Sequence, residues 1–266
     1  MSGQPYFIVD AFTHRPFGGN PAAVVPLTAP ADPRYMQQVA MEMNLSETAF
    51  VRPDGDGFDL RWFTPAHEED LCGHATLATA HVLYHLGWVK PGAVARFSSR
   101  SGPLSARQEE ESIRLDFPAE PDRPADPPDL LRAALGVTPL YTGRNRLDYL
   151  LEVENEAVLR AVTPDFLLLD RLEARGVILT CASHDPAYDF KSRFFAPRVG
   201  VPEDPVTGSA HCCLGPYWQR RLGKSDFTAY QASARGGVLT VRVRGPRVEL
   251  AGQAVMVARG ELLASE

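Results

Sequence analysis

Arg61-Trp-Phe-Thr-Pro65 and Arg193-Phe-Phe-Ala-Pro197 are the two stretches on which the reading of this 266-residue chain turns. They match at an offset of 132, with three identities and one aromatic exchange. Each is followed by an acidic loop and a glycine: EDLCGHA at 69–75 and EDPVTGSA at 203–210, the second with one extra residue. A fixed offset that brings similar residues together is the mark of an internal repeat. Aligning Gly73 with Gly208 sets the offset at 135, and the same register, carried forward, lays SSRSGPLSAR (98–107) over SARGGVLTVR (233–242). Ser98, Arg100, Gly102, Leu104 and Arg107 then meet identical residues, where average composition gives roughly one match in sixteen. The chain therefore reads as one α/β unit copied.

Working outward, short β-branched and aromatic runs at 6–9, 22–25, 48–51 and 58–63 predict strands, with helices at 32–43 and 75–86. The second half repeats the order, with strands at 147–153, 176–181 and 189–195 and helices at 164–174 and 210–222. Pro118, Pro121, Pro124, Pro127 and Pro128 crowd the segment between, which predicts an extended linker over 118–128. The expected division is 1–117, the linker, and 129–253.

Composition narrows the function classes. At 44% hydrophobic and 23% charged, the chain can fill a core and is too apolar for disorder. With 27 basic and 33 acidic residues, net charge −6 and no run of five like charges, nucleic acid is not an expected partner. No apolar run reaches the roughly 18 residues that span a bilayer, and MSGQPYFIVDAF has no basic region leading into a long apolar one. A soluble, cytoplasmic protein without membrane contact is the expectation. Cys72, Cys181 and the adjacent Cys212 and Cys213 make a poor disulfide framework and read as reduced.

In both copies a glycine and a polar residue open a helix, Gly73-His74 and Gly208-Ser209. Helix starts carry unpaired N–H groups and the positive end of the dipole, so two of them facing each other across a cleft between the halves would hold a small carboxylate. The competing reading is simple helix capping by His74 or Ser209. In NLSETAFV (44–51), Ser46 and Glu47 precede an apolar strand. Half-burial there would raise a carboxyl from about 4.3 toward working pH, as a general base or acid requires, against the alternative of a solvated strand end. The second copy has no acid matching Glu47 and has Ser209 in place of His74, an asymmetry that suits one base acting on one substrate. His81 and His85, four apart on a helix, offer a rival metal site without an HEXXH pattern. Asn20, in the turn after Pro16 and Phe17, is a further residue within reach of the cleft.

DAFTHRPFGGNPAAVV (10–25), NLSETAFV, RWFTPAHEEDLCGHATLA (61–78) and RFFAPRVGVPEDPVTGSAH (193–211) together resemble the phenazine biosynthesis PhzF-like family, whose fold is that of diaminopimelate epimerase. The likeness extends through GVLTVRV (237–243) and VELAGQAVMVARGEL (248–262). It implies an α+β fold of two similar domains, each a mixed or barrel-like sheet around a central helix, with a terminal strand at 254–262 able to complete the first. It also implies cofactor-free, metal-free isomerases that work as homodimers on small carboxylates bound between the domains, as in trans-2,3-dihydro-3-hydroxyanthranilate isomerisation. Matched residue by residue, the catalytic groups are Glu47, His74 and Asp204, and Ser46, Gly73, Gly208 and Ser209 bind substrate. Epimerases of this fold use two cysteines, one before each glycine. Here Cys72 stands before the first but Thr207 before the second, which disfavours a two-thiol racemase.

Overall fold

The helix Gly73–His85 buries nine of its thirteen residues, from His74 through Leu83, and so leaves no broad face for water. Such a helix has to occupy the middle of its unit. Ala75, Ala78 and Ala80 on its surface are fully buried and let neighbouring backbones come close. The computed structural model describes residues 3–263 and divides the chain into two compact units, 1–116 with 251–266, and 117–250.

In the first unit Ala254–Leu262 lies antiparallel to Gln4–Ala11, which lies antiparallel to Asn20–Pro26. From there the ladder continues parallel to Glu47–Asp54, antiparallel to Gly57–Phe63, parallel to Val94–Ser99 and antiparallel to Gly102–Glu109. The helix Gly73–His85 touches strands from both ends of this ladder, so the sheet curls around it. The helix Pro33–Met43, capped by Asp32, is amphipathic instead: Met36, Val39 and Ala40 pack on Val25, Phe50 and Phe63.

The second unit repeats the plan. Asp148–Glu152 runs parallel to Gly176–Ala182, then antiparallel to Phe190–Phe195, parallel to Asp226–Gln231 and antiparallel to Gly237–Arg244. The helix Gly208–Leu222 buries ten of fifteen residues, with Trp218 stacked on Phe190. Leu131, Leu159 and Leu169, from the short helices Asp129–Leu135, Glu156–Ala161 and Phe166–Asp170, cluster with Leu151, Val177 and Leu179. The fold is α+β, with the same order of strand senses in both units.

Strand pairing corrects part of the sequence register. Phe58 pairs with Phe97 and Phe190 with Ala229, both shifted by 132, whereas Leu104 and Leu239 in the next strands differ by 135. The three additional residues therefore fall in the hairpin turn 232–236, which replaces the two-residue turn 100–101. Gly102, Leu104 and Arg107 are true counterparts of Gly237, Leu239 and Arg242. Ser98 corresponds to Tyr230 and not to Ser233, so its identity there, like that of Arg100, is coincidental.

Two expectations change in detail. The helix expected over 164–174 is only Phe166–Asp170, because Arg171 and Leu172 donate to carbonyls three residues back and turn buried Leu172 toward the strand at Gly176. The proline-rich stretch is extended but is no free tether. Arg123–Pro124 pairs with Gly143 and Arg144, and Ala125 N–H donates to the Thr142 carbonyl. Buried Asp122 accepts from the Tyr141 hydroxyl at 2.5 Å and from Arg220 at 2.6 Å. Among the described residues no helix is long and apolar enough to cross a membrane.

Asp122→Ala should lower the unfolding free energy by about 2–3 kcal/mol in a urea titration, since it leaves a tyrosine and an arginine without their acceptor. A change within about 0.5 kcal/mol, as at an ordinary surface position, would mean the stretch is only a tether.

Candidate active site

Glu47 begins the strand Glu47–Asp54, opposite Ala22, and strand alternation places it on the same face as Ala49 and Val51. His74 is the second residue of the central helix. Their side chains meet with His74 Nε2 3.1 Å from Glu47 Oε2, at 4% and 15% exposure. The approach satisfies an ion pair in distance but is not aligned as a hydrogen bond, and both atoms are buried without a hydrogen-bond partner. Asn20, fully buried at the start of Asn20–Pro26, places Nδ2 3.1 Å from His74 Nδ1. The Ser46 hydroxyl stands 3.5 Å from Asn20 Oδ1, and Cys72 Sγ lies 3.5 Å from His74 Nδ1.

The turn before Asn20 is rigid. Phe12, Phe17 and Gly19 all take positive φ, and buried Asp10 fixes the Phe17 N–H at 2.7 Å. A Cβ on Gly19 would sit 2.1 Å from the Ala11 carbonyl oxygen, so only glycine closes this turn. Asn20 was legible in the sequence only as a residue within reach, because nothing in GGNP reveals which side chain it will meet.

Burial alone would push the His74 imidazole down, but its acidic neighbours Cys72 and Glu47 carry it the other way, well above its ordinary 6.5. Burial pushes the Cys72 thiol up to about 11, so it is neutral near pH 7. With the Asn20 amide N–H facing Nδ1, the neutral form of the ring would carry its proton on Nε2, toward Glu47. The doubly protonated ring requires the amide turned over. A neutral Cys72, fully buried, is not an activated thiol.

Neither duplicated helix start is closed by a side chain. Cys72 and Thr207 occupy the N-cap positions without a capping hydrogen bond, whereas Asp32, Asn155 and Asp165 do cap their helices. The capping reading of His74 and Ser209 is thus replaced by two open starts, at Gly73 and at Gly208. In the second unit half-buried Asp204 accepts from Thr207 Oγ1 at 2.5 Å. Gln231 locks that loop, accepting from Thr207 N–H at 2.8 Å and donating to the Asp204 carbonyl at 2.7 Å.

The loops leading to the two helices share one anchor. Arg61 forks onto Glu68 at 2.7 and 2.8 Å, and Arg193 forks onto Glu203 at 2.8 and 3.0 Å. Glu203 is therefore the counterpart of Glu68, not of Glu69, and from there to the helices no residue is inserted. The additional residues lie earlier, in the 3₁₀ turn Pro197–Val199 and Gly200. Thr48 pairs with Phe63 and Val177 with Phe195, which makes Gly176 the counterpart of Glu47. A Cβ at Gly176 would lie 2.5 Å from the Phe194 ring, so the second copy cannot carry a carboxylate there.

Among the described residues, Glu47, Cys72 and His74 are the one trio with metal-ligating atoms all within 4.8 Å of one another. Glu47 faces Nε2 and Cys72 faces Nδ1 of the same ring. His81 and His85 are joined by no third ligand among the described residues. The structure thus brings together Ser46, Glu47, Gly73 and His74 in the first unit, and Asp204, Gly208 and Ser209 around the helix start of the second.

A two-unit α+β fold with a buried carboxylate–imidazole pair at an open helix start is that of the epimerase-like isomerases. The chain belongs to the phenazine biosynthesis-like PhzC/PhzF family, whose model matches residues 9–260. It is 54% identical to an uncharacterized isomerase of Halalkalibacterium halodurans over 264 residues, 99% of this chain and 100% of that one. A crystal structure of a PhzF-family phenazine biosynthesis protein from Enterococcus faecalis is similar at 44% identity and a TM-score of 0.94, covering 99% of this chain and 100% of that one. A probable proline racemase from Agrobacterium radiobacter shares the fold at 12% identity and a TM-score of 0.69, covering 98% of this chain and 93% of that one.

Because the folded pKa of His74 is raised, its pairing contributes stability fully below about pH 6.5, and that contribution fades as pH rises through the raised value. NMR titration should find His74 still protonated above pH 6.5, and Glu47→Gln should move its midpoint down. The Arg193–Glu203 fork should contribute about 2 kcal/mol, read as a fall in urea midpoint for Glu203→Gln without a change in slope.

Proposed function

We propose that this isomerase works without a cofactor, moving a proton by general acid/base chemistry on a small carboxylate-bearing substrate. The observation that carries the reading is the buried contact of Glu47 Oε2 with His74 Nε2, two polar atoms held 3.1 Å apart with hydrogen-bonding capacity to spare. Leaving such atoms unpaired costs stability, and a site that uses them during turnover accounts for their retention. Ionised Glu47 takes a proton from a carbon acidified by conjugation. The substrate carboxylate rests on the open N–H groups at Gly73 and His74, and His74 steadies the charge that develops as the C–H bond breaks. The proton is then returned to another carbon of the conjugated system, so that bonds and charge balance without a redox partner.

Asp204 and Ser209 serve as further groups on the substrate, and Gly208 offers a second set of backbone donors. Asn20 is a positioning residue: it fixes the imidazole through Nδ1 and aims Nε2 at Glu47. Support for an activity similar to trans-2,3-dihydro-3-hydroxyanthranilate isomerisation comes from the motifs around Glu47, His74 and Asp204. The same resemblance supports a cytoplasmic homodimer, for which light scattering should give about twice 29.2 kDa.

Turnover in D2O, with trans-2,3-dihydro-3-hydroxyanthranilate and other small unsaturated carboxylates, should place deuterium in the product. Glu47→Gln should slow it by about 10²–10⁴-fold with the fold retained by circular dichroism, and a chelator should leave the rate intact. A Glu47→Gln enzyme of full activity would remove the proposed base. Binding without turnover across the set would favour a non-catalytic binding protein. Zinc-dependent activity lost in His81→Ala or His85→Ala would favour the metal reading.

A further inference from the structure

Glu69 holds a position that the acid/base mechanism leaves unused. It lies four residues before the helix glycine Gly73, as Asp204 lies four before Gly208, and the paired anchors Arg61–Glu68 and Arg193–Glu203 confirm the correspondence. In the short strand Glu68–Glu69, Glu69 pairs with Trp62, and Trp62 pairs in turn with Ala49. Residues paired across strands share a face, and Glu47 shares the face of Ala49. Glu47, Trp62 and Glu69 therefore share the side of the sheet that carries the central helix, with Glu69 level with Trp62 and Ala49 and with Glu47 two residues along its own strand. Two strand spacings and the two-residue offset separate the backbone positions of Glu69 and Glu47 by about 12 Å.

Thr64 Oγ1 accepts the N–H groups of Ala66 and His67 at 3.1 and 3.0 Å and donates to the His67 carbonyl, so the loop is fixed. His67 Nε2 is 2.7 Å from Glu69 Oε1, which holds the carboxylate in place. Trp62, which pairs with Glu69, is fully buried. A partly exposed carboxylate held by its neighbour on the face of the acid/base pair suits a ligand that supplies a donor.

We propose that Glu69, braced by His67, is a specificity-determining residue that selects substrates carrying an amino or hydroxyl donor beyond the carboxylate. This rests on the carboxylate reading of the site above. A donor held by an ionised group gains more than one held by water, and a substrate lacking it leaves Glu69 desolvated against carbon.

Isothermal titration of the full chain with matched probes separates the two claims. 2-Aminobenzoate should bind about tenfold more tightly than benzoate, and β-alanine than propionate, by about 1.4 kcal/mol of charge-assisted hydrogen bonding. Glu69→Leu should bring each pair to within about twofold and leave the benzoate and propionate affinities unchanged, which also reports that the variant is folded. Equal affinities in the unsubstituted protein, or a preference that survives Glu69→Leu, would overturn the role of Glu69 and leave the carboxylate site standing. Failure of all four probes to bind would overturn the carboxylate reading and this proposal with it.

Discussion

Each unit depends on a helix that has no face to spare for water. Once Gly73–His85 is enclosed by its sheet, a polar side chain within it must pair with the helix itself, as Thr76 and Thr79 do with carbonyls four residues back, or lie at its ends, where backbone donors have no intrahelical partner. The first turn is therefore where buried polar groups of the helix can meet others without breaking the core. His74 enters there from the helix, Glu47 from one strand start and Asn20 from another. The same enclosure in the second unit leaves the start at Gly208 open, with Asp204 and Ser209 beside it.

Duplication supplies the frame, and the differences between copies supply the chemistry. The Arg61–Glu68 and Arg193–Glu203 forks hold equivalent loops at equivalent heights. Between these fixed points the second copy has lost the carboxylate position to the Phe194 ring, with Arg175 lying over that ring and paired to buried Asp148. The slot that holds an acid in one unit is thus filled by an aromatic ring in the other. One copy carries the buried carboxylate–imidazole pair, and in the other the same slot is packed by an aromatic ring.

Much of this was legible in the sequence. The repeat at 61–65 and 193–197 gave two units, and the glycine-polar pairs gave both helix starts to within two residues. What stayed hidden depends on pairing at a distance. An offset cannot tell whether three extra residues fall in a turn or a strand, so Ser98 and Glu69 were matched one way by identity and another by hydrogen bonding. The short outer helices at 129–135 and 156–161 were missed because they are held by packing of Leu131 and Leu159 and not by long apolar periodicity. Asn20 was indistinct for a similar reason: its role is set by a strained turn and a partner 54 residues away.

A crystal structure of this protein with a small unsaturated carboxylate bound would test the central claim most directly. If proton transfer is organised as described, the carboxylate will lie within hydrogen-bond reach of the Gly73 and His74 N–H groups, with a substrate carbon about 3–3.5 Å from Glu47 Oε2. A carboxylate held elsewhere, with Glu47 and His74 still facing only each other, would contradict it.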